Sequence, residues 1–219
     1  MDNRALRYCL LSLLWLFIFS HCRPVKVYQS RQFENVTAAH QTLAILPCEV
    51  ILASRYQAKS RTYAQIRQQL IDEGLEVQKT MGDYFAKDSA RYNVHFQSIH
   101  QTNHLLTTAG ISYHQVRRYP RQELATLLGV DALVFTTVTR TSLVGVTDAI
   151  AAGAAFGLAG IATSRNVPKA KLEIQLFDPN QPQAVWKLTD KSVDLLDVKK
   201  VAKMPVRKAL SKFPYRKDS

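Results

Sequence analysis

Cysteine is scarce in this 219-residue chain: Cys9, Cys22 and Cys48 are all there is. Cys9 falls in an amino-terminal leader-like stretch, so at most one pair remains and the chain is not a disulfide scaffold. Acidic residues are also few, 17 Asp and Glu against 29 Lys and Arg, for a formal net charge of +12. Catalytic signatures are missing. No G-x-S-x-G nucleophile elbow, no G-x-x-x-x-G-K-[ST] phosphate loop and no G-x-G-x-x-G after a strand pattern is present. Asp72 and Glu73 have no second carboxylate at a dependable distance, which leaves glycoside hydrolysis unsupported. Strong basicity in a cytosolic chain would suggest nucleic acid, but no RNP, helix-turn-helix or zinc-finger pattern occurs. There is no internal repeat. These absences argue against an enzyme and against a nucleic-acid binder, and no cofactor is called for.

What is present begins at the amino terminus. Arg4 and Arg7 precede an apolar run from Cys9 to Phe19, followed by Ser20, His21 and Cys22. That is the layout of a secretory signal peptide. The run is too short for a bilayer span, which takes about 20 residues. An A-x-A-like exit is absent. Instead "LLWLFIFSHC" ends on Cys22 and resembles a lipoprotein lipobox, with His21 where a small residue is usual. The resemblance implies that residues 1–21 are removed and that Cys22 becomes a lipidated first residue, its acyl chains giving a stable membrane anchor. Without Arg4, Arg7 and Asp2 the mature chain holds 27 basic and 16 acidic residues, a net +11. Anionic lipid head groups, cell-wall carboxylates or an acidic partner protein suit that balance.

Residues 22–41 are polar and basic and are expected to be the lipidated cysteine and a flexible tether. A single domain is expected over 42–215, with 216–219 as a tail. "TLAILPCEVIL" (42–52) has strand length, with Pro47 limiting its pairing. Residues 60–73 and 75–88 show helical spacing through Ile66, Leu70, Val77, Met81, Tyr84 and Phe85, and Gly74 is expected to break or kink them. "YNVHFQSI" (92–99) alternates like a strand. "QTNHLLTTAG" (101–110) reads as a short helix capped near Thr102 or Asn103, and "PRQELATLLG" (120–129) as a clearer one ending at Gly129. It feeds a buried strand at 130–141. In "KAKLEIQLFD" the residues Leu172, Ile174 and Leu176 alternate with Lys171, Glu173 and Gln175, and after the turn "PNQPQ" the stretch "AVWKLTDKSV" returns as the second arm of a hairpin. Leu133, Val134 and Phe135 should lie in the core with the three apolar residues of the hairpin. The fold class is therefore α/β in the mixed α+β sense: one domain, a mixed sheet of about five strands, helices on its faces.

Two segments stand out. Leu143–Ala162 is twenty residues long with one charge, Asp148, and Gly153 and Gly157 stand at G-x-x-x-G spacing. It reads as a crossover between strands, as a helix lying on the domain or a membrane, or as a β insertion. Sparse bulky residues, among them Ile150 and Phe156, speak against a barrel. From Val198 the chain is basic, with Lys199, Lys203 and Arg207 at i, i+4, i+8. That is a solvated helix face or an electrostatic contact. Ile150, Gly153, Phe156, Gly157, Lys199, Lys203 and Arg207 are thus the candidate contact residues. His100 and His104 stand at i, i+4 with no third metal ligand nearby. Asp131 in "GVDAL" reads as a turn residue bonding backbone, and Cys48 as a small core residue.

As a set, "LAILP", "TNHLLTTAGI", "ELATLLGVDALV", "LEIQLFD…VWK" and the closing "KALSKFPY" resemble a family of Gram-negative envelope lipoproteins. Its domain is similar to the curli secretion-channel subunit, to outer-membrane activators of peptidoglycan synthases and to the amino-terminal domain of TolB. The resemblance implies a non-catalytic binding or assembly module held at the outer membrane and facing the periplasm. Its expected partners are the membrane, through the lipid anchor, and other envelope proteins or like subunits, with the cell wall a further candidate. An oligomeric secretion-pore component and a regulator of a peptidoglycan synthase are the alternatives it carries.

Overall fold

The computed structural model describes residues 25–52, 62–140, 169–194 and 209–217. Its strands are β1 (Lys26–Gln29), β2 (Thr42–Ile45), β3 (Glu49–Leu52), β4 (His95–Phe96), β5 (Ala132–Arg140), β6 (Lys169–Phe177) and β7 (Trp186–Asp194). Between them lie helices α1 (Phe33–Thr37), α2 (Tyr63–Lys87), α3 (Ile99–Thr108) and α4 (Arg121–Leu128). The strands form one mixed sheet in the order β1-β7-β6-β5-β2-β4, with β3 also against β5.

Among the described residues seven strands stand where about five were expected, and both extra ones have a physical origin. Pro47 has no N–H to give to a ladder, so the apolar run at 42–52 splits. β2 pairs in parallel with the first half of β5, from Leu43↔Ala132 to Ile45↔Val134, and β3 with the second half, from Glu49↔Thr137 to Leu52↔Arg140. The other addition corrects the tether. Lys26–Gln29 pairs antiparallel with β7, and α1 buries Phe33 and Thr37 just after it. All four β1 residues are exposed. An edge strand wetted on both faces carries no apolar alternation to read.

Helices cover both faces of the sheet. Leu172, Ile174 and Leu176 share one core cluster with Val77, Met81 and Phe85 of α2, as the alternation predicted. On the other face Leu133, Phe135 and Phe177 pack with Leu106 of α3 and with Leu124 and Leu128 of α4. Burying such side chains fully contributes about 1.5–3 kcal/mol each before entropy is counted.

Gly74 does not break α2, which runs unbroken for 25 residues from a Thr62–Gln65 capping box. A Cβ on Gly74 would stand 2.1 Å from the Cys48 carbonyl oxygen. The glycine is there because helix and strand backbone touch at the β2–β3 joint. Helix α3 also starts earlier than its sequence suggested. Ser98 Oγ accepts the Gln101 N–H at 3.2 Å, while Thr102 is buried and donates its hydroxyl to Gln97 Oε1 at 2.8 Å. Helix α4 ends as expected on Gly129, whose φ of 65° suits a left-handed cap.

The carboxyl-terminal residues close the core. Phe213 meets Phe85 at a centroid distance of 5.0 Å and Trp186 at 5.4 Å, and Arg216 bridges to Tyr92. Among the described residues no helix is long and apolar enough to cross a membrane.

Candidate functional site

The candidate contact residues Cys22, Ile150, Gly153, Phe156, Gly157, Lys199, Lys203 and Arg207 all lie outside the described residues. The described residues do show where the chain leaves the sheet toward them. Leu52 at the end of β3 pairs with Arg140 at the end of β5, Arg140 pairs with Ala170 at the start of β6, and Lys169 pairs with Asp194 at the end of β7. Residues 53–61, 141–168 and 195–208 therefore all depart from, or return to, one end of the sheet. β1 runs antiparallel to β7, with Lys26 opposite Thr189 and Gln29 opposite Trp186, so the chain before Lys26 arrives from the same side. We call this the exit end. A buried ion pair between Glu73 of α2 and Arg140 ties it to the helix layer, with side chains only 11% and 6% exposed. The Arg140 Nε and the Thr137 hydroxyl, also buried, have no hydrogen-bond partner among the described residues.

The opposite end carries the β6–β7 turn and the starts of β2 and β5. Here a cleft of about 770 Å³ is lined by His40, Gln122, Thr126, Asp131, Asp178 and Asn180, among others. His40 resembles half of a catalytic dyad, since its Nε2 is 2.9 Å from Asp178 Oδ2. Its Nδ1 faces the Tyr215 hydroxyl. Burial, then the Asp178 and Asp131 carboxylates, push the Tyr215 phenol well above its ordinary range, so it stays protonated. The phenol then donates to Nδ1, and Nε2–H donates to Asp178, whose second oxygen accepts the Asn180 N–H at 2.7 Å. Both ring nitrogens are committed within the chain, and neither is left for a substrate. Asp131 is likewise occupied, accepting the N–H groups of Gln41 and Thr42 at 2.9 and 2.8 Å. It bonds backbone as expected, but that of β2's start rather than its own turn.

The remaining candidates are dispersed. His100 and His104 share α3 with ring centroids 6.3 Å apart, and no group of three or more metal-type ligands occurs among the described residues. His114 packs against Arg67, and desolvation followed by the Arg67 and Arg118 charges lowers its pKa. Burial pushes the Cys48 thiol far above its ordinary value, with the nearby Arg117 opposing, so it stays an inert core thiol. The His40–Asp178–Tyr215 tie had no local signal in the sequence. Its members are 138 and 175 residues from His40.

No known family and no curated protein matches the sequence. Among solved structures the chain is similar to a PelC dodecamer from Paraburkholderia phytofirmans, with 11% identity and a TM-score of 0.44 over 89% of this chain and 99% of that one. It is similar to lipoprotein GNA1162 from Neisseria meningitidis, with 7% identity and a TM-score of 0.43 over 79% and 99%. It is also similar to the LpoB C-terminal domain from Escherichia coli, with 10% identity and a TM-score of 0.34 over 73% and 92%. At these values the likeness carries nothing about what the chain binds.

Proposed function

We propose that the chain is a lipid-anchored accessory protein of the Gram-negative cell envelope, facing the periplasm, which binds other envelope components and performs no chemistry. Cys22 carries the lipid. Ile150, Gly153, Phe156 and Gly157 of the small-residue segment contact partners, like subunits or the membrane, and Lys199, Lys203 and Arg207 add electrostatic attraction. The observation that supports this reading best is the convergence at the exit end. The stretch bearing Cys22, the apolar stretch and the basic stretch lie far apart in sequence, yet all join the sheet from one side. Points of departure gathered on one side suit attachment. The committed side chains of the opposite cleft favour a binding module over an enzyme.

The test is fractionation of cells producing the wild-type chain or Cys22→Ser. Wild type should sediment with membranes, with a diacylglyceryl mass on Cys22, and the variant should move to the soluble periplasmic fraction. A mature chain beginning unmodified at another residue would refute the anchor.

A further inference from the structure

We infer that the open edge of β1 is a docking site for an extended acidic segment of another protein, which adds to the sheet as a further strand. The site consists of described residues and stands whether or not Cys22 carries lipid. Its backbone is the first argument. β1 ends the sheet, and β7 is its strand partner among the described residues. The Ser30 N–H donates to the Val185 carbonyl at 2.9 Å, and the preceding Gln29 stands opposite Trp186. Main-chain groups alternate in direction along an antiparallel strand, so Lys26 and Tyr28 bond toward β7 as Ser30 does. The N–H and C=O groups of Val27 and Gln29 therefore face away from the sheet. β1 holds no proline to blunt that row, and its register to β7 has no bulge. Such an edge is a template for a further strand.

The side chains around the edge give the occupant its chemistry. Residues opposite one another in a ladder share a face of the sheet. Tyr28 is opposite Lys187, and Lys26 is opposite Thr189, which in turn stands opposite Glu173. The same face carries Lys171, bridged to Glu173, and is overhung by Arg117, which donates to Gln175 at 2.9 Å. Its cations Lys26, Lys171, Lys187 and Arg117 outnumber the carboxylates Glu173 and Glu49, and both carboxylates are already bridged by them. On the other face Val27 stands opposite the buried Leu188 yet is itself 48% exposed. An incoming strand thus meets positive charge on one face and an apolar ledge on the other. Since its own side chains alternate, the matching segment alternates acidic with apolar residues. A second copy of β1 fits the backbone equally well, but it joins two faces of the same sign edge to edge, a juxtaposition that opposes association. An acidic segment neutralises the face instead.

The experiment titrates the full chain with a fluorescent peptide of alternating Val and Glu and reads anisotropy. The controls are a peptide of alternating Val and Lys and a block peptide, all Val then all Glu, of the first one's composition. The alternating acidic peptide should bind several-fold more tightly than either control. Val27→Pro removes an outward N–H and leaves the ladder to β7 intact, so it should abolish that preference while the urea midpoint holds. Lys26→Glu, an exposed change that decides the matter even where the proline variant does not fold, should weaken the acidic peptide and favour the lysine one. A block peptide that binds as tightly as the alternating one overturns strand addition, and so does a Lys26→Glu chain with unchanged preference. Sedimentation of the chain alone as a dimer that Val27→Pro dissociates overturns the acidic partner and makes a second copy the occupant.

Discussion

The two ends of the sheet are held together differently. At the turn end, parts of the chain distant in sequence bond one another. His40 joins Asp178 and Tyr215, Asp131 holds the start of β2, and Arg121 stacks 3.8 Å over the Phe177 ring while donating to the carbonyls of Gln181 and Pro182. At the exit end, among the described residues, the Glu73–Arg140 pair ties the sheet to α2, and beyond it the chain leaves the sheet three times. The contrast shows how one small domain can separate its duties. An end closed by its own polar groups fixes the fold, and the stretches proposed for contact join the sheet at the other end.

Breaking the turn end should have the largest effect on stability. Phe213 is 2% exposed and lies among Phe85, Trp186 and Tyr215. Phe213→Ala removes the ring that seats the tail beneath Tyr215, and the expected cost is about 3–5 kcal/mol. Urea unfolding monitored by Trp fluorescence measures it. A loss under about 1 kcal/mol would mean that the tail is dispensable and that the turn end is not the fold's closure.

At the exit end, Glu73→Ala leaves the Arg140 guanidinium buried without its carboxylate. Breaking a buried pair from one side costs about 3–5 kcal/mol, whereas replacing both partners with apolar residues is often neutral. Arg140 already has an unpaired Nε, which makes part of the pair's worth small from the outset. We therefore expect about 3 kcal/mol for Glu73→Ala and recovery of most of it in Glu73→Leu with Arg140→Met. The same urea series tests this. A double variant as unstable as the single would show that the pair specifies the exit end rather than merely neutralising it.

The sequence made legible what local periodicity controls. The alternation of Leu172, Ile174 and Leu176 predicted the buried face of β6 and Gly129 the stop of α4, whereas Pro47 signalled limited pairing in a single strand and not the split into β2 and β3. What it hid depends on contacts remote in sequence. Gly74 reads as a helix breaker because glycine usually is one, yet its role is set by the Cys48 carbonyl. β1 is polar and exposed, and nothing near it announces that it pairs with a strand some 160 residues later. The turn-end network joins His40 to residues in two other stretches, and no spacing rule reaches that far. Of the candidate contact residues, composition alone marked the segments, and it required the sheet topology to bring their points of departure to one end.

The smallest expected effect lies between the two ends and sets the baseline for both. Glu173, in the middle of β6, is bridged by Lys171 at 2.7 Å and Lys187 at 3.1 Å. Partial burial works against its charge, but hydrogen bonds from the two lysines outweigh that and hold its carboxyl below the ordinary value. A carboxyl depressed in the folded state stabilises the fold above its unfolded pKa, and that contribution fades as pH falls through the lower folded value. Because both lysines are well exposed, solvent screening limits the gain to about 0.2–1 kcal/mol. Glu173→Gln should therefore cost that much at pH 7 and almost nothing at pH 2, so wild type loses more stability than the variant across that interval. Urea midpoints for the two proteins at both pH values provide the measurement, and high salt should shrink the difference at pH 7. Parallel losses in the two proteins would show that the Lys171–Glu173–Lys187 ladder contributes nothing, leaving the stability differences at the two ends to stand without a mid-sheet electrostatic term.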